Sequence, residues 1–144
     1  MNADLAKSLR KVLASTFSMY LHAHDFHWNV VGPNFAQLHE FFQEIYEDVY
    51  GAVDTLAEDL RKLNFKAPFT LTHLASLSTV TESRPNKDTD MLSSLGVINQ
   101  TVLDSLIECF GIANDANEQG IANFIAERID MHQKWAWQIR SFKG

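Results

Sequence analysis

The sequence predicts an all-α fold: a four-helix bundle with a short extra helix in the connection between the second and third long helices. Three observations carry that prediction. Four long stretches repeat apolar residues every three or four positions, the spacing that lines one face of a helix. No segment carries a strand signal. The chain has 144 residues, 46% hydrophobic and 21% charged, which is ordinary globular material for one core, so residues 1–144 are expected to form one domain.

The first helix is expected over residues 4 to about 31. Leu5, Leu9, Leu13, Phe17 and Tyr20 mark its stripe, with Lys7, Arg10 and Lys11 largely between them. Gly32 and Pro33 stop it, because Gly accepts a left-handed cap and Pro cannot continue the hydrogen-bond ladder. Asn34 can cap the second helix, with Gln37 as its capping-box partner. That helix, residues 34 to 63, carries Phe35, Leu38, Phe42, Ile45, Val49, Val53, Leu56, Leu60 and Leu63 in one continuous stripe. Pro68 lies beyond its end. Leu71, Leu74 and Leu77 predict the short helix, and residues 80 to 90 a polar loop. Asp88 or Asp90 can cap a third long helix bearing Leu92, Leu95, Ile98, Val102, Leu106 and Phe110. A break is expected between Gly111 and Gly120. The fourth helix carries Ile121, Phe124, Ile125, Ile129, Trp135, Ala136, Ile139 and Phe142. The long connection between the second and third long helices suits one crossover along the bundle.

A net charge of −6 and a pI near 5.4 give no general pull toward nucleic acid or anionic membrane, and suit a protein that handles cations. Cys109 is the only cysteine, which excludes an intrachain disulfide. Within the apolar run from Leu106 to Phe110 it reads as a small core residue, in keeping with a reducing compartment. No segment reaches the roughly 20 apolar residues of a membrane span. Asp4, Lys7, Arg10 and Lys11 are spread through the first apolar pattern, unlike a signal peptide, so a cytoplasmic location is expected.

His22, His24, His27 and His39 fall within one short stretch, and such a cluster invites a metal reading. On a helical wheel His22 faces away from the stripe toward solvent, while His24 and His27 fall on or near it. His39 flanks the second stripe beside Tyr46 and Tyr50. Asp54 and Glu58, four residues apart, share a face turned away from the core. His39 and Asp54 lie on one helix, so they are separated by about 22 Å along its axis. One chain cannot bring them to one ion, but an antiparallel copy of the same helix can. A two-fold axis near residues 47 and 48 sets His39 of one chain beside Asp54 and Glu58 of the other, once at each end. Tyr46, Tyr50, Val53 and Ala57 lie between the two sites and form an apolar seam. Carboxylates with imidazole suit iron better than a thiolate-seeking metal, and zinc can use the same ligands. No Glu-x-x-His occurs in the chain, which sets aside a di-iron centre inside the bundle. Nor is there a His-Glu-x-x-His, a phosphate-binding Gly-rich loop or a Gly-x-Ser-x-Gly.

The run His27-Trp28-Asn29-Val30-Val31-Gly32-Pro33-Asn34-Phe35, then Leu38-His39-Glu40, then Asp54-Thr55-Leu56-Ala57-Glu58, closely resembles the ferroxidase signature of the Dps family of ferritin-like proteins. Lys134-Trp135-Ala136-Trp137 is similar to that family's C-terminal pattern. The resemblance covers nearly the whole chain. It implies a hollow homo-dodecamer whose two-fold interfaces, here through residues 39–58, oxidise Fe(II) with hydrogen peroxide or oxygen. Ferric mineral is stored inside, as protection against oxidative damage. Carried over by position, His27 and His39 bind iron from one chain, and Asp54 and Glu58 from its two-fold partner, with Glu58 bridging. Trp28 lies near the site as an oxidisable ring. Gln43 departs from the pattern, which has Asp four residues after the second His. A neutral carbonyl holds Fe(III) less well than a carboxylate, so a shell or binding protein with an impaired centre is the alternative. The Lys-rich N-terminal tail with which some members neutralise DNA phosphates has no counterpart beyond Lys7, Arg10 and Lys11, so DNA binding is not expected. The resemblance also implies acid-lined three-fold pores, for which Asp115, Glu118, Glu127 and Asp130 are candidates.

Overall fold

The apolar stripes do become helices. The computed structural model describes residues 2–144, with α1 (Ala3–Asn29), α2 (Phe35–Lys62), α3 (Leu71–Leu77), α4 (Asp88–Asp115) and α5 (Gln119–Lys143). There is no strand among the described residues. Helix α1 packs along α2 and α4, α4 along α5, and α2 touches α5 to close the bundle, while short α3 docks on α1. Phe26, Phe42, Met19, Leu38, Ile45, Leu56, Leu95, Leu106 and Ile125 are fully buried where the four stripes meet. Each such side chain contributes about 1.5–3 kcal/mol on leaving water. Cys109 lies in this core as expected, and burial pushes its thiol up to about 11.

The turn between α1 and α2 sets the geometry of everything that follows. Val30 N–H donates to the Phe26 carbonyl at 3.0 Å, and Phe35 N–H to the Gly32 carbonyl at 3.1 Å. Gly32 has φ +124°, a conformation that strains any residue with a Cβ. Asn34 occupies the cap position of α2, but its side chain makes no capping bond, so the expected box with Gln37 does not form. The backbone bond to Gly32 closes that end instead.

The start of α4 also differs from expectation, whereas the break between α4 and α5 falls inside the expected interval from Gly111 to Gly120. Lys87, not an aspartate, precedes α4. Asp88 and Asp90 lie in its first turn, where negative charge meets the positive end of the helix dipole. Helix α4 runs straight through Gly111 to Asp115. The chain reverses at Asn117, in the left-handed region at φ 58°, where Glu118 N–H reaches the Ala113 carbonyl at 3.0 Å. An exposed glycine inside a helix is tolerated when its neighbours pack well. Against the expectation that no segment is apolar enough, α4 meets the length and mean hydropathy of a membrane span. Its apolar residues lie on both sides: Leu95, Ile98 and Val102 are buried, and Val97 and Ile107 are exposed.

His22 also departs from its expected place in solvent. The crossover segment between α3 and α4 lies over it, leaving it 8% exposed. Its Nδ1–H donates to the Ser18 carbonyl at 2.8 Å, and its Nε2 accepts from Ser83 N–H at 3.0 Å. Arg84 pairs with Asp25 at 3.1 Å, and Thr79 N–H donates to Ser15 Oγ at 3.1 Å. Phe35, read as part of the α2 stripe, is instead 44% exposed.

Candidate metal centre

The short α1–α2 turn brings the end of one helix against the start of the next, and with them His27 and His39. The two rings stack, with centroids 3.8 Å apart and planes 15° from parallel. Each ring is tied to the other residue's backbone. His27 Nδ1 bonds the His39 carbonyl at 2.7 Å, and His39 Nδ1 bonds the His27 carbonyl at 2.7 Å. A carbonyl only accepts, so both rings carry their proton on Nδ1 and leave an Nε2 lone pair free. The His27 carbonyl is among the last four of α1, which have no partner inside the helix. Donation from His39 satisfies it. This is the arrangement a metal-binding imidazole needs, with one nitrogen oriented by a backbone acceptor and the other open.

Aromatic rings wall the pair. Phe35 stacks on His39 at 4.9 Å, and Tyr46 meets His27 edge-on at 5.2 Å. His24 lies between Tyr46 at 3.9 Å and Trp28 at 3.8 Å. Its Nδ1 shares a 2.9 Å hydrogen bond with the Tyr20 hydroxyl. Burial and the neighbouring His27 lower the pKa of His24, so it stays neutral at physiological pH. Burial, with Tyr50 and Tyr46 nearby, raises that of Tyr20, so its phenol keeps its proton. The four clustered histidines therefore divide: His22 holds the crossover, His24 packs among aromatics, and His27 and His39 hold open nitrogens. Trp28 is 64% exposed beside them.

Gln43 is half-buried one turn beyond His39, and its Nε2 donates to Glu47 Oε1 at 2.8 Å. Asp54 and Glu58 are exposed farther along α2, on the face turned from the core, as expected. Within one chain the fold thus brings His27, His39 and Gln43 together and leaves Asp54 and Glu58 apart from them, as a straight helix must. Among the described residues, no three His, Cys, Asp or Glu side chains of one chain gather into a metal site. Of the pore candidates, Asp115, Glu127 and Asp130 are exposed, and half-buried Glu118 accepts from Asn2 Nδ2 at 3.2 Å.

One polar group went unread in the sequence. In the bundle interior Arg128 makes a two-pronged pair with Asp48, at 2.9 and 2.8 Å, and Trp135 Nε1–H donates to the same carboxylate at 2.7 Å. Burial alone would raise Asp48, but Arg128 and Trp135 hold it below the usual carboxylate range. Arg128 also donates to His132 Nε2 at 3.1 Å, and His132 Nδ1–H donates to Asn99 Oδ1 at 2.8 Å. Burial and the Arg128 charge push His132 down to about 3, so its ring is neutral. The signal was present: Ile125, Arg128, His132, Trp135 and Ile139 follow the three-and-four spacing, and all are buried. An arginine thus supplies the cation inside this bundle.

Residues 6–143 match the family model described as a ferritin-like domain. The chain is 30% identical over 141 residues to the DNA protection during starvation protein of Brevibacillus brevis, covering 96% of this chain and 93% of that one. Its fold is similar to Dps from Thermosynechococcus elongatus, with a TM-score of 0.94 and 25% identity, over 98% of this chain and 90% of that one. Dps from Staphylococcus aureus gives a TM-score of 0.93 and 27% identity, over 98% of this chain and 95% of that one.

Proposed function

Since the chain belongs to the Dps family of the ferritin-like superfamily, we propose that it is a mini-ferritin that oxidises Fe(II) at centres shared between two-fold-related subunits. The ferric product is stored in a hollow homo-oligomeric shell, a dodecamer as in the family. The observation that carries this reading is the reciprocal clasp of His27 and His39, which leaves two Nε2 lone pairs free on one rigid turn.

In this reading Fe(II) is the substrate. His27 and His39 offer a nitrogen each. Asp54 and Glu58 of the partner subunit bring the negative charge that a ferric ion needs, and Glu58 bridges. Gln43 offers a carbonyl oxygen. His24, kept neutral by its burial, adds no positive charge beside the incoming cations. Two ferrous ions give one electron each to hydrogen peroxide, whose O–O bond breaks, and two protons are taken up to form two waters. Oxygen serves as the alternative oxidant. Trp28, exposed and packed at a tilt against His24, serves as the oxidisable ring that absorbs stray oxidising equivalents. Zinc can occupy the same ligands. The site of action is the cytoplasm, and the acidic chain has no direct DNA role.

Gln43 supports a second reading, a shell whose centre is impaired because one anionic ligand is missing. The deciding experiment loads Fe(II) anaerobically, adds peroxide or air, and follows ferric absorbance. Wild type should oxidise iron fast, and Glu58→Ala should lose more than the roughly 10–100-fold typical of an outer-shell partner, because it removes a ligand itself. If wild type is no faster than buffer while Gln43→Asp gains activity, the impaired-shell reading replaces the ferroxidase one.

A further inference from the structure

We propose that Glu47 is a positioning residue for the centre: it fixes the Gln43 side-chain amide so that the carbonyl oxygen, and not the NH2 group, is presented beside His39. This rests on the shared-centre reading above and adds a residue to it.

The argument starts from the chemistry of a primary amide. Its two ends are nearly equal in size, but only the oxygen can ligate a cation, because the NH2 group has no free lone pair. A Gln turned the wrong way offers a metal two N–H hydrogens. Something must therefore choose the end. Glu47 lies one helical turn after Gln43, and its Oε1 is 2.8 Å from Gln43 Nε2. An ionised carboxylate can only accept, so the end facing it must be the NH2 end. The amide is planar, with oxygen and nitrogen on opposite sides of the Cγ–Cδ bond. With Nε2 committed to Glu47, Oε1 is the end of the amide left free to face a cation. The bond to a charged acceptor also polarises the amide and makes its oxygen a better donor to a cation.

The same pairing accounts for how a neutral residue is accommodated at this position. An aspartate at 43 would need no orienting partner, because its two oxygens are equivalent. It would also be repelled by Glu47 across one turn. Glutamine at 43 and glutamate at 47 are complementary, and together they keep a negative charge within one hydrogen bond of the ligand position.

The test is anaerobic Fe(II) calorimetry on the assembled full-length protein, without oxidant, so that binding is read apart from turnover. Four proteins are compared: wild type, Glu47→Gln, Gln43→Asp and the double variant. Glu47 is exposed in the single chain and Glu47→Gln keeps its size, and because it lies at the proposed two-fold interface the assembly of each variant is verified by size before binding is read. A glutamine at 47 can donate or accept, and no longer dictates which end of Gln43 faces it. Glu47→Gln should weaken Fe(II) binding to the otherwise wild-type protein by about tenfold, the scale on which groups behind a ligand matter. On the Gln43→Asp background the same change should leave affinity unchanged or improve it. Equal weakening on both backgrounds would mean that Glu47 acts by charge alone and would overturn the proposal, as would no weakening in the wild-type background. Glu58→Ala separates the two levels. If Fe(II) binding ignores Glu58→Ala, the shared centre falls and the proposal with it. If binding needs Glu58 and ignores Glu47, only the proposal falls.

Discussion

His132 is where acid should first reach the fold. An ordinary imidazole titrates near 6.5, whereas this one is held at about 3 by burial and by the charge of Arg128. Above about pH 6.5 neither the folded nor the unfolded ring binds the proton, and His132 adds no pH dependence. Between that value and about 3 the unfolded chain binds a proton that the folded chain refuses, so stability falls as pH falls. The loss approaches about 1.4 kcal/mol for each pH unit in that window. Thermal melts taken from about pH 7 down to about pH 4.5 should show this slope in wild type and a shallower one in His132→Gln. Equal slopes would remove His132 from the account. At this scale the sequence was legible where residue type and neighbours together announce a role, as in the run from His27 to Phe35. It was illegible at His22, because a helical wheel knows one helix and cannot say that a distant crossover will lie on it. Arg128 and His132 fell between these cases. Their spacing matched the buried face, but a stripe traced through apolar residues alone ran past them to Ile129 and Ala136.

The crossover between α3 and α4 is tied to α1 by three polar contacts: Ser83 on His22, Arg84 on Asp25, and Thr79 on Ser15. Removing the His22 acceptor by His22→Ala should cost about 1 kcal/mol, the net worth of such a bond. Hydrogen exchange should speed up in residues 78–87 while α1 and α2 keep their protection. A comparable rise along α1 would show that His22 supports the bundle and not the crossover. Helix cores were readable because burial enforces the period of the apolar residues, as the run Leu38, Phe42, Ile45, Val49, Leu56 and Leu60 shows. Helix ends were less so. The break expected between Gly111 and Gly120 is there, but residue type alone did not locate it: Gly111 still lies on an exposed helical turn, and the reversal falls at Asn117. Asn34 took its place at the start of α2 without using its side chain. Caps are settled by which hydrogen bond wins locally, and a backbone bond to Gly32 leaves no trace in residue type.

At the scale of the assembly, the proposed centre has a consequence that can be tested by mixing. His39→Ala and Glu58→Ala spoil opposite halves of the same site, so each variant alone should be inactive. Unfolded together at equal amounts and refolded, they should recover about one quarter of wild-type ferroxidase activity, because half of the imidazole halves and half of the carboxylate halves are sound and pair at random across an isologous interface. No recovery would place the whole centre within one chain. The proposed pairing is the part of the site that one chain cannot assemble, since Asp54 and Glu58 lie about 22 and 28 Å along a rigid helix from His39. On the proposed reading, that helix length works as a safety interlock. A subunit that has not found its partner carries only disconnected halves and cannot generate ferric iron loose in solution. On that reading oxidation switches on when two subunits pair, the contact from which the enclosing shell is built.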